Sequence, residues 1–297
     1  MKTKYKMVLL IFLFFQGYLF SQNSKRSAKE ISTKNESYFL TDISYINDAV
    51  FMGRRDSVKA PYILPSVGYY DKSGFFLDAS ASYLTSSEEN RVDLFLLSAG
   101  YLFNDSSLSG GISGTGYFFN GDSYNVRSET VGDISGFLTL DLKSIEISLL
   151  ASTFFNDGSS ADIFAGLMLG HTFSTTDNTF FISPTIAVYA GSQNFYEAYY
   201  NSSRLGNRKG KGQGQNTTSG STVITEVIIE EASKFNMLDL EVSLPLQYYY
   251  NHFIFSFSPV LAMPQSSATI TTEDAVIEED LDSVFYFSAG ISYWFNP

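Results

Sequence analysis

Two histidines and a set of spaced carboxylates are the side chains of this 297-residue chain whose positions suggest chemistry. Asp78 lies in "FFLDASASYL", Asp141 and Glu146 bound "DLKSIE", and Asp239 and Glu241 stand two apart in "MLDLEVSLPLQYYY". Carboxylates held close together repel unless a cation bridges them or one keeps its proton. Such groups therefore serve proton transfer, cation binding or a standing negative field. A catalytic histidine needs a nucleophile within hydrogen-bond reach and a third group to orient it. His171 is followed by Thr172 and Phe173, with no serine two places on, and His252 falls in a two-residue turn. Neither is expected to be catalytic, and no enzymatic activity is expected. The chain has no cysteine, which excludes disulfides, thiolate metal sites and cysteine nucleophiles. "TEDAVIEEDLD" (272–282) is rich in acid but lacks the glycine and ligand order of a calcium loop, so it reads as a solvated surface loop. No metal and no other cofactor is expected.

The elements that must position these carboxylates are β-strands. The chain closes with "SVFYFSAGISYWFNP", in which Phe285, Phe287, Ala289, Ile291, Tyr293 and Phe295 share one parity. Ser288, Gly290, Ser292 and Asn296 share the other. Side chains of a strand alternate between its two faces, so this segment has one apolar face and one that is polar or small. The pattern recurs at 75–84, 145–155, 237–250 and 253–263, and more weakly at 61–70, 92–103, 108–120, 133–142, 161–173 and 179–190. A twelfth strand is placed at 38–51, because a closed antiparallel barrel with both ends on one side needs an even count. Asp78, Asp141, Glu146, Asp239 and Glu241 all fall on the polar parity.

Turn spacing ties the strands into hairpins. With Lys143 and Ser144 as a two-residue loop, Leu142 meets Ile145, Leu140 meets Ile147, and Asp141 faces Glu146. With Asn251 and His252 as the loop, Tyr250 meets Phe253 and Tyr248 meets Phe255. "DKSG" needs one extra residue, which Gly74 supplies as a bulge. Short connections alternate with long ones, and Tyr69, Phe75, Tyr101, Phe103, Phe173, Tyr248, Tyr250, Phe253, Tyr293 and Phe295 gather near the short-turn end. An aromatic belt at one end suits a membrane interface, whereas a soluble sandwich gives no reason for it. The apolar faces are thus expected to point outward to lipid. Pro65, Pro184, Pro245 and Pro259 interrupt the ladders and require bulges or distortions there.

The N-terminus gives the compartment. Lys2, Lys4 and Lys6 precede the apolar run "MVLLIFLFF", and a small Ser21 follows, as in a secretory signal peptide over residues 1–21. Its removal takes three lysines from a net charge of −12 and leaves −15. Such an acidic exported chain is a poor partner for nucleic acid. The one basic cluster, "RLGNRKGKGQGQ" (204–215), is glycine-rich and reads as a solvated loop. The expected organisation is a signal peptide (1–21), a linker (22–36) and a barrel (37–297).

The last strand resembles the C-terminal assembly signal of Gram-negative outer-membrane proteins, with Ser288, Gly290, Tyr293 and Phe295 at its polar, glycine and aromatic places. The chain departs from that pattern by continuing through Asn296 and Pro297. The resemblance implies insertion by the barrel-assembly machinery into outer-membrane lipid. The expected fold is an all-β, transmembrane, antiparallel up-and-down barrel of about 12 strands, with short periplasmic turns and longer extracellular loops. Inside it, Asp78, Asp239 and Glu241 are expected to line a charged lumen, with Asp141 and Glu146 solvated at the periplasmic rim. The inward parity also carries Phe76, Phe137, Phe154, Tyr249 and Trp294, which either fill the lumen or line a narrow passage. The functional expectation is a narrow porin-like passive channel for small neutral or cationic solutes. The alternative is a non-conducting barrel whose long loops bind a partner. The segment 201–232 either projects as a hairpin or folds into the mouth.

Overall fold

A computed structural model describes residues 36–56, 58–86, 90–201, 228–229, 232–267, 269–271, 276–278 and 281–295. The expected signal peptide, nearly all of the linker, most of the 201–232 segment and the last two residues lie outside the described residues.

The strands run in chain order as β1 (Tyr38–Ile46), β2 (Tyr62–Tyr70), β3 (Phe75–Thr85), β4 (Asn90–Asp105), β5 (Leu108–Phe119), β6 (Thr130–Asp141) and β7 (Glu146–Asn156). They continue as β8 (Asp162–Gly170), β9 (Phe173–Ser174), β10 (Phe180–Ile182), β11 (Thr185–Gly191), β12 (Ile228–Ile229), β13 (Asn236–Ser243), β14 (Leu246–Tyr250), β15 (Phe253–Pro264), β16 (Thr269–Thr271), β17 (Val276–Glu278) and β18 (Val284–Phe295). β8 with β9, β10 with β11, and β13 with β14 are interrupted halves of single staves. β1 pairs with β18, and β13 joins β11 to β15, so the sheet closes into a 12-strand antiparallel barrel. β12, β16 and β17 form a small separate sheet within the long-loop segments.

The apolar parity points outward. Ile43 is 63% exposed and Phe285 60%, and Leu77, Leu97, Leu149, Ile163 and Phe257 are exposed with them. An apolar exterior on this scale is stable only against hydrocarbon. At the short-turn end Phe39 stacks between Tyr69 and Phe295, and Phe75 packs on Tyr101 with ring centroids 5.1 Å apart. A second exposed aromatic group, Tyr45, Tyr83, Phe95, Phe118, Phe155 and Phe285, lies toward the long-loop end. The barrel therefore carries aromatic belts at both interfaces, where the sequence had suggested one.

The expected hairpin registers are observed. Leu140 pairs with Ile147 and Asp141 with Glu146 around Lys143 and Ser144. Tyr250 pairs with Phe253 and Tyr248 with Phe255. Gly74 has φ +101°, and its N–H donates to the Asp71 carbonyl, which lets Tyr70 pair with Phe76. Three prolines share one defect: Pro184, Pro245 and Pro259 lie side by side where the ladder breaks between β10 and β11 and between β13 and β14, with the same register on either side of the break. Across that gap Ser183 donates to the Pro245 carbonyl and Leu244 to the Pro259 carbonyl. Pro65 stays in register with Ile43 of β1, while the β2–β3 ladder skips it.

Two expectations are corrected. The first strand ends at Ile46 rather than at residue 51, and the chain beyond it turns into the lumen. Leu238 does not face lipid with Leu240. A bulge in β13, with Leu238 as the extra residue opposite Tyr189 and Ala190 of β11, sets Met237 outward and buries Leu238 and Asp239.

Candidate functional site

The candidate site is the lumen, built from the inward parity of the staves. A polar wall runs over β1, β3–β7 and β18. Ser44 and Ser292 donate to Asp42 at 2.6 and 2.5 Å, Ser98 meets Thr115 at 2.9 Å, and Thr139 meets Ser148 at 2.9 Å. Tyr117 and Ser135 both donate to Asp133. Asp42, Asp93, Asp133, Glu146, Asp162, Asp239 and Glu241 are all buried strand carboxylates. Hydroxyls and carboxylates in such numbers on one inner face favour an aqueous or cationic interior over an apolar filling.

The rest of the lumen is aromatic. Tyr38 stacks on Tyr70 at 4.9 Å and Tyr70 on Phe76 at 5.8 Å near the short-turn end. Phe154 and Phe164 meet edge to face at 5.2 Å toward the long-loop end of the opposite wall. Against these packs a strap, residues 47–60, that connects β1 to β2. Its ends are tied together by Asp48, which accepts from the N–H groups of Ala49 and Ala60, both at 3.0 Å, and from Arg55 at 3.1 Å. At its tip Phe51 and Arg54 form a bridge across Met52 and Gly53, both at positive φ.

The tip is wholly internal. Met52 is 1% exposed and Arg54 2%. The Phe51 ring lies 5.8 Å from Phe154, 5.5 Å from Phe164 and 5.1 Å from Phe195. Gly53 runs so close to the wall that a Cβ there would lie 2.8 Å from Pro264 Cγ and 3.1 Å from Asp239 Oδ1. Arg54 donates to the Ser266 carbonyl at 2.7 Å and stacks over Tyr196 at 4.6 Å. Arg127, from the β5–β6 loop, caps Phe51 at 4.6 Å and also faces Tyr117 and Phe154.

The strap is roofed by a helix, α1 (Asn194–Tyr199). Asp162 fixes its start by accepting from the N–H groups of Asn194 and Phe195 at 2.8 and 2.7 Å and from Ser192 Oγ at 2.6 Å. Phe195, Tyr196 and Tyr199 then join Phe51, Met52, Val126, Phe154, Phe164 and Leu238 in one buried cluster. Tyr199 also donates to Asp56 of the strap. At the long-loop end this cluster of the described residues occupies the lumen beside Phe154 and Phe164.

The carboxylates expected in the lumen do face inward, on three separate regions. Asp239 is 0% exposed and adjoins buried Glu241, which accepts from Tyr286 at 3.3 Å. Asp78 is only partly buried, close to Asp42 and Tyr70. Asp141 is partly buried and accepts from the Lys143 N–H at 2.7 Å. Glu146 is buried rather than solvated at the rim, because its strand starts one residue after the turn and points it under the sheet. Ser288, Gly290, Tyr293 and Phe295 lie along β18, at the seam where the last strand pairs with the first. His171 packs its ring against Phe173 at 4.5 Å, and His252 sits in its turn with Nδ1 3.1 Å from the Trp294 carbonyl. Among the described residues no group of three or more His, Asp or Glu is disposed to hold a metal ion.

The sequence reading missed the strap and α1. The available signal was apolar: "AVFM" and "NFYEAYY" are greasy stretches in connections that should be polar, and such residues outside a membrane demand cover. No protein-family model matches the sequence, and no curated protein does. Solved structures of outer-membrane barrels are similar to it. One titled as the KdgM porin is 10% identical, covering 86% of this chain and 99% of its own, with a TM-score of 0.46. One titled as the NanC porin is 9% identical, with 86% and 98% covered and a TM-score of 0.46. The outward apolar band, the closed ladder and the belts at both ends make the chain a transmembrane β-barrel of the outer-membrane type.

Proposed function

We propose that the barrel is a narrow passive channel of the outer membrane for small neutral or cationic solutes. The reading is carried by the inner wall, where buried strand carboxylates outnumber the inward guanidinium groups Arg54, Arg91 and Arg127. A negative lumen lowers the energy of a cation and raises that of an anion. Asp239, Glu241 and Asp78 are assigned the largest share of that field, Asp141 and Glu146 a share at the periplasmic end. Barrel-assembly machinery reading Ser288, Gly290, Tyr293 and Phe295 would insert the chain after removal of residues 1–21. Refolded protein in planar bilayers under a KCl gradient should give unitary steps with a cation-selective reversal potential. Asp239→Asn with Glu241→Gln should move that potential toward zero, and an unchanged value removes these residues from the role. A second reading, a non-conducting barrel whose long loops bind a partner, is favoured by the aromatic filling around Phe51 and Phe195. Absence of current at any salt concentration, in protein shown to be folded, decides for it.

A further inference from the structure

The strap is built from the wrong residues for a passive connection. Residues 47–60 join two neighbouring antiparallel strands, a task that two to five residues accomplish in an ordinary hairpin. The excess is spent inside the barrel: Phe51 and Met52 reach the Phe154–Phe164 wall, while Gly53 abuts Asp239 and Arg54 reaches Ser266, two staves further round. The strap thus crosses the lumen from its roots on β1 and β2 to the far quarter of the wall, where β7, β8, β11, β13 and β15 run side by side.

The charges complete the pattern. The buried carboxylates lie mainly on the staves, whereas Arg54 comes from the strap and Arg127 from the β5–β6 loop. The strap tip that carries Arg54 abuts Asp239, whose two buried carboxylate oxygens accept no hydrogen bond, and Arg127 covers Phe51. A buried guanidinium is tolerated only where opposite charge and acceptors meet it, so this side chain fixes the depth and direction of the strap. The strap imitates the cation the lumen would otherwise attract.

We infer that residues 47–60 form a gate: the strap is the closed state of the long-loop mouth, latched by Arg54 against the Asp239–Glu241 wall, and solutes pass when it swings out. The inference rests on the channel reading above. Its hinges are the two ends tied by Asp48, and its withdrawal bares the two carboxylates to the solute path. The gate and the selectivity field therefore use the same side chains.

The absence of native cysteine allows a direct test. A Cβ at position 53 would lie 3.1 Å from Pro264 Cα, so Gly53→Cys with Pro264→Cys sets two thiols side by side and removes the proline ring between them, at the cost of a Cβ at positive φ. In planar bilayers the oxidised pair should show no openings, and reduction should restore them. Arg54→Gln, which keeps a hydrogen-bonding group but removes the charge, should raise open probability roughly tenfold or more, as expected for loss of a charged buried hydrogen bond. A chain with residues 48–59 replaced by Asn-Gly should stay open, with larger unitary steps. Folding of each variant is checked by heat-modifiable mobility in gels. Equal unitary conductance and open probability in the oxidised and reduced pair overturn the gate and leave the channel standing. Silence of both the wild type and the strapless chain, each folded, overturns the channel and the gate with it. If the strapless chain fails to fold, the disulfide pair and Arg54→Gln decide alone.

Discussion

Ile43→Arg tests the orientation on which the structure rests. Ile43 is 63% exposed on β1, opposite Ile291 of β18 and Pro65 of β2. A rise of ~3.3 Å per residue at a tilt of ~45° gives ~2.3 Å of depth per residue. About five residues separate it from Tyr38 at the short-turn end, which sets it ~12 Å deep in an apolar band of about 25 Å. That is the midplane, where an arginine on the lipid face costs about 2–4 kcal/mol. The folding constant should fall by roughly thirty- to eight-hundred-fold, since each 1.4 kcal/mol is about a factor of ten. Leu108→Arg is the internal control, because Leu108 opens β5 at the short-turn rim and the same substitution there costs ~0–1 kcal/mol. Reversible denaturant unfolding from phospholipid bilayers reads both, with the single tryptophan, Trp294, as an intrinsic probe beside the His252 ring at 4.5 Å. Were the exterior meant for water, exposed Ile43→Arg would change stability by no more than ~0.5 kcal/mol. Equal costs at positions 43 and 108 would refute the membrane orientation.

The turns offer two smaller tests. Lys143 has φ +68° at the first of two loop residues, the place where a II′ turn prefers glycine. Lys143→Gly should therefore raise stability by up to ~1 kcal/mol in the same unfolding assay, and a loss would show that the Lys143 side chain matters more than its backbone. Asp71, in the β2–β3 turn, accepts from Ser73, Ser37 and Tyr69, which hold its carboxyl well below the usual carboxylate range. A depressed folded-state pKa stabilises above the unfolded value and loses that stabilisation as pH falls through the folded one. The stability gap between wild type and Asp71→Ala should thus persist from neutral pH down through pH 4 and close only in stronger acid. A gap that does not change as pH falls into strong acid would show that folding leaves the Asp71 pKa unshifted, as in an ordinary solvated carboxylate.

The staves were legible because the lipid and the lumen impose opposite chemistry on alternate residues. From Leu77, Ala79 and Ala81 against Asp78, Ser80 and Ser82, the parity alone gives both faces of β3. Two-residue turns at Lys143 and Asn251 then fix register, since a slip by one residue would set every side chain on the wrong face. Parity fails where the count changes locally. The bulge beside Tyr189 reverses Leu238, and nothing in "NMLDL" announces it, because the extra residue answers to the partner strand. The proline defect is similar: Pro184, Pro245 and Pro259 are far apart in sequence and become one feature only when three staves lie side by side. Glu146 could not be judged buried or solvated from its position beside a turn. The strap and α1 belong to no period, so their inward course depends on a cavity that exists only once the barrel has closed.

That dependence bears on how the lumen works. An inner wall carrying Asp239 and Glu241 has two ways of being stable: with water and mobile cations, or with a fixed guanidinium in their place. Arg54 supplies the second, yet it does so from a connection rather than from a stave, so the compensation can leave while the carboxylates cannot. Had the barrel needed only a filled core, apolar residues at positions 239 and 241 would have served at lower desolvation cost, as they do at Phe154 and Phe164 on nearby staves. Asp239 and Glu241 on the permanent wall, with Arg54 on a connection beside them, therefore argue for an interior that is sometimes hydrated, with the strap as its temporary occupant.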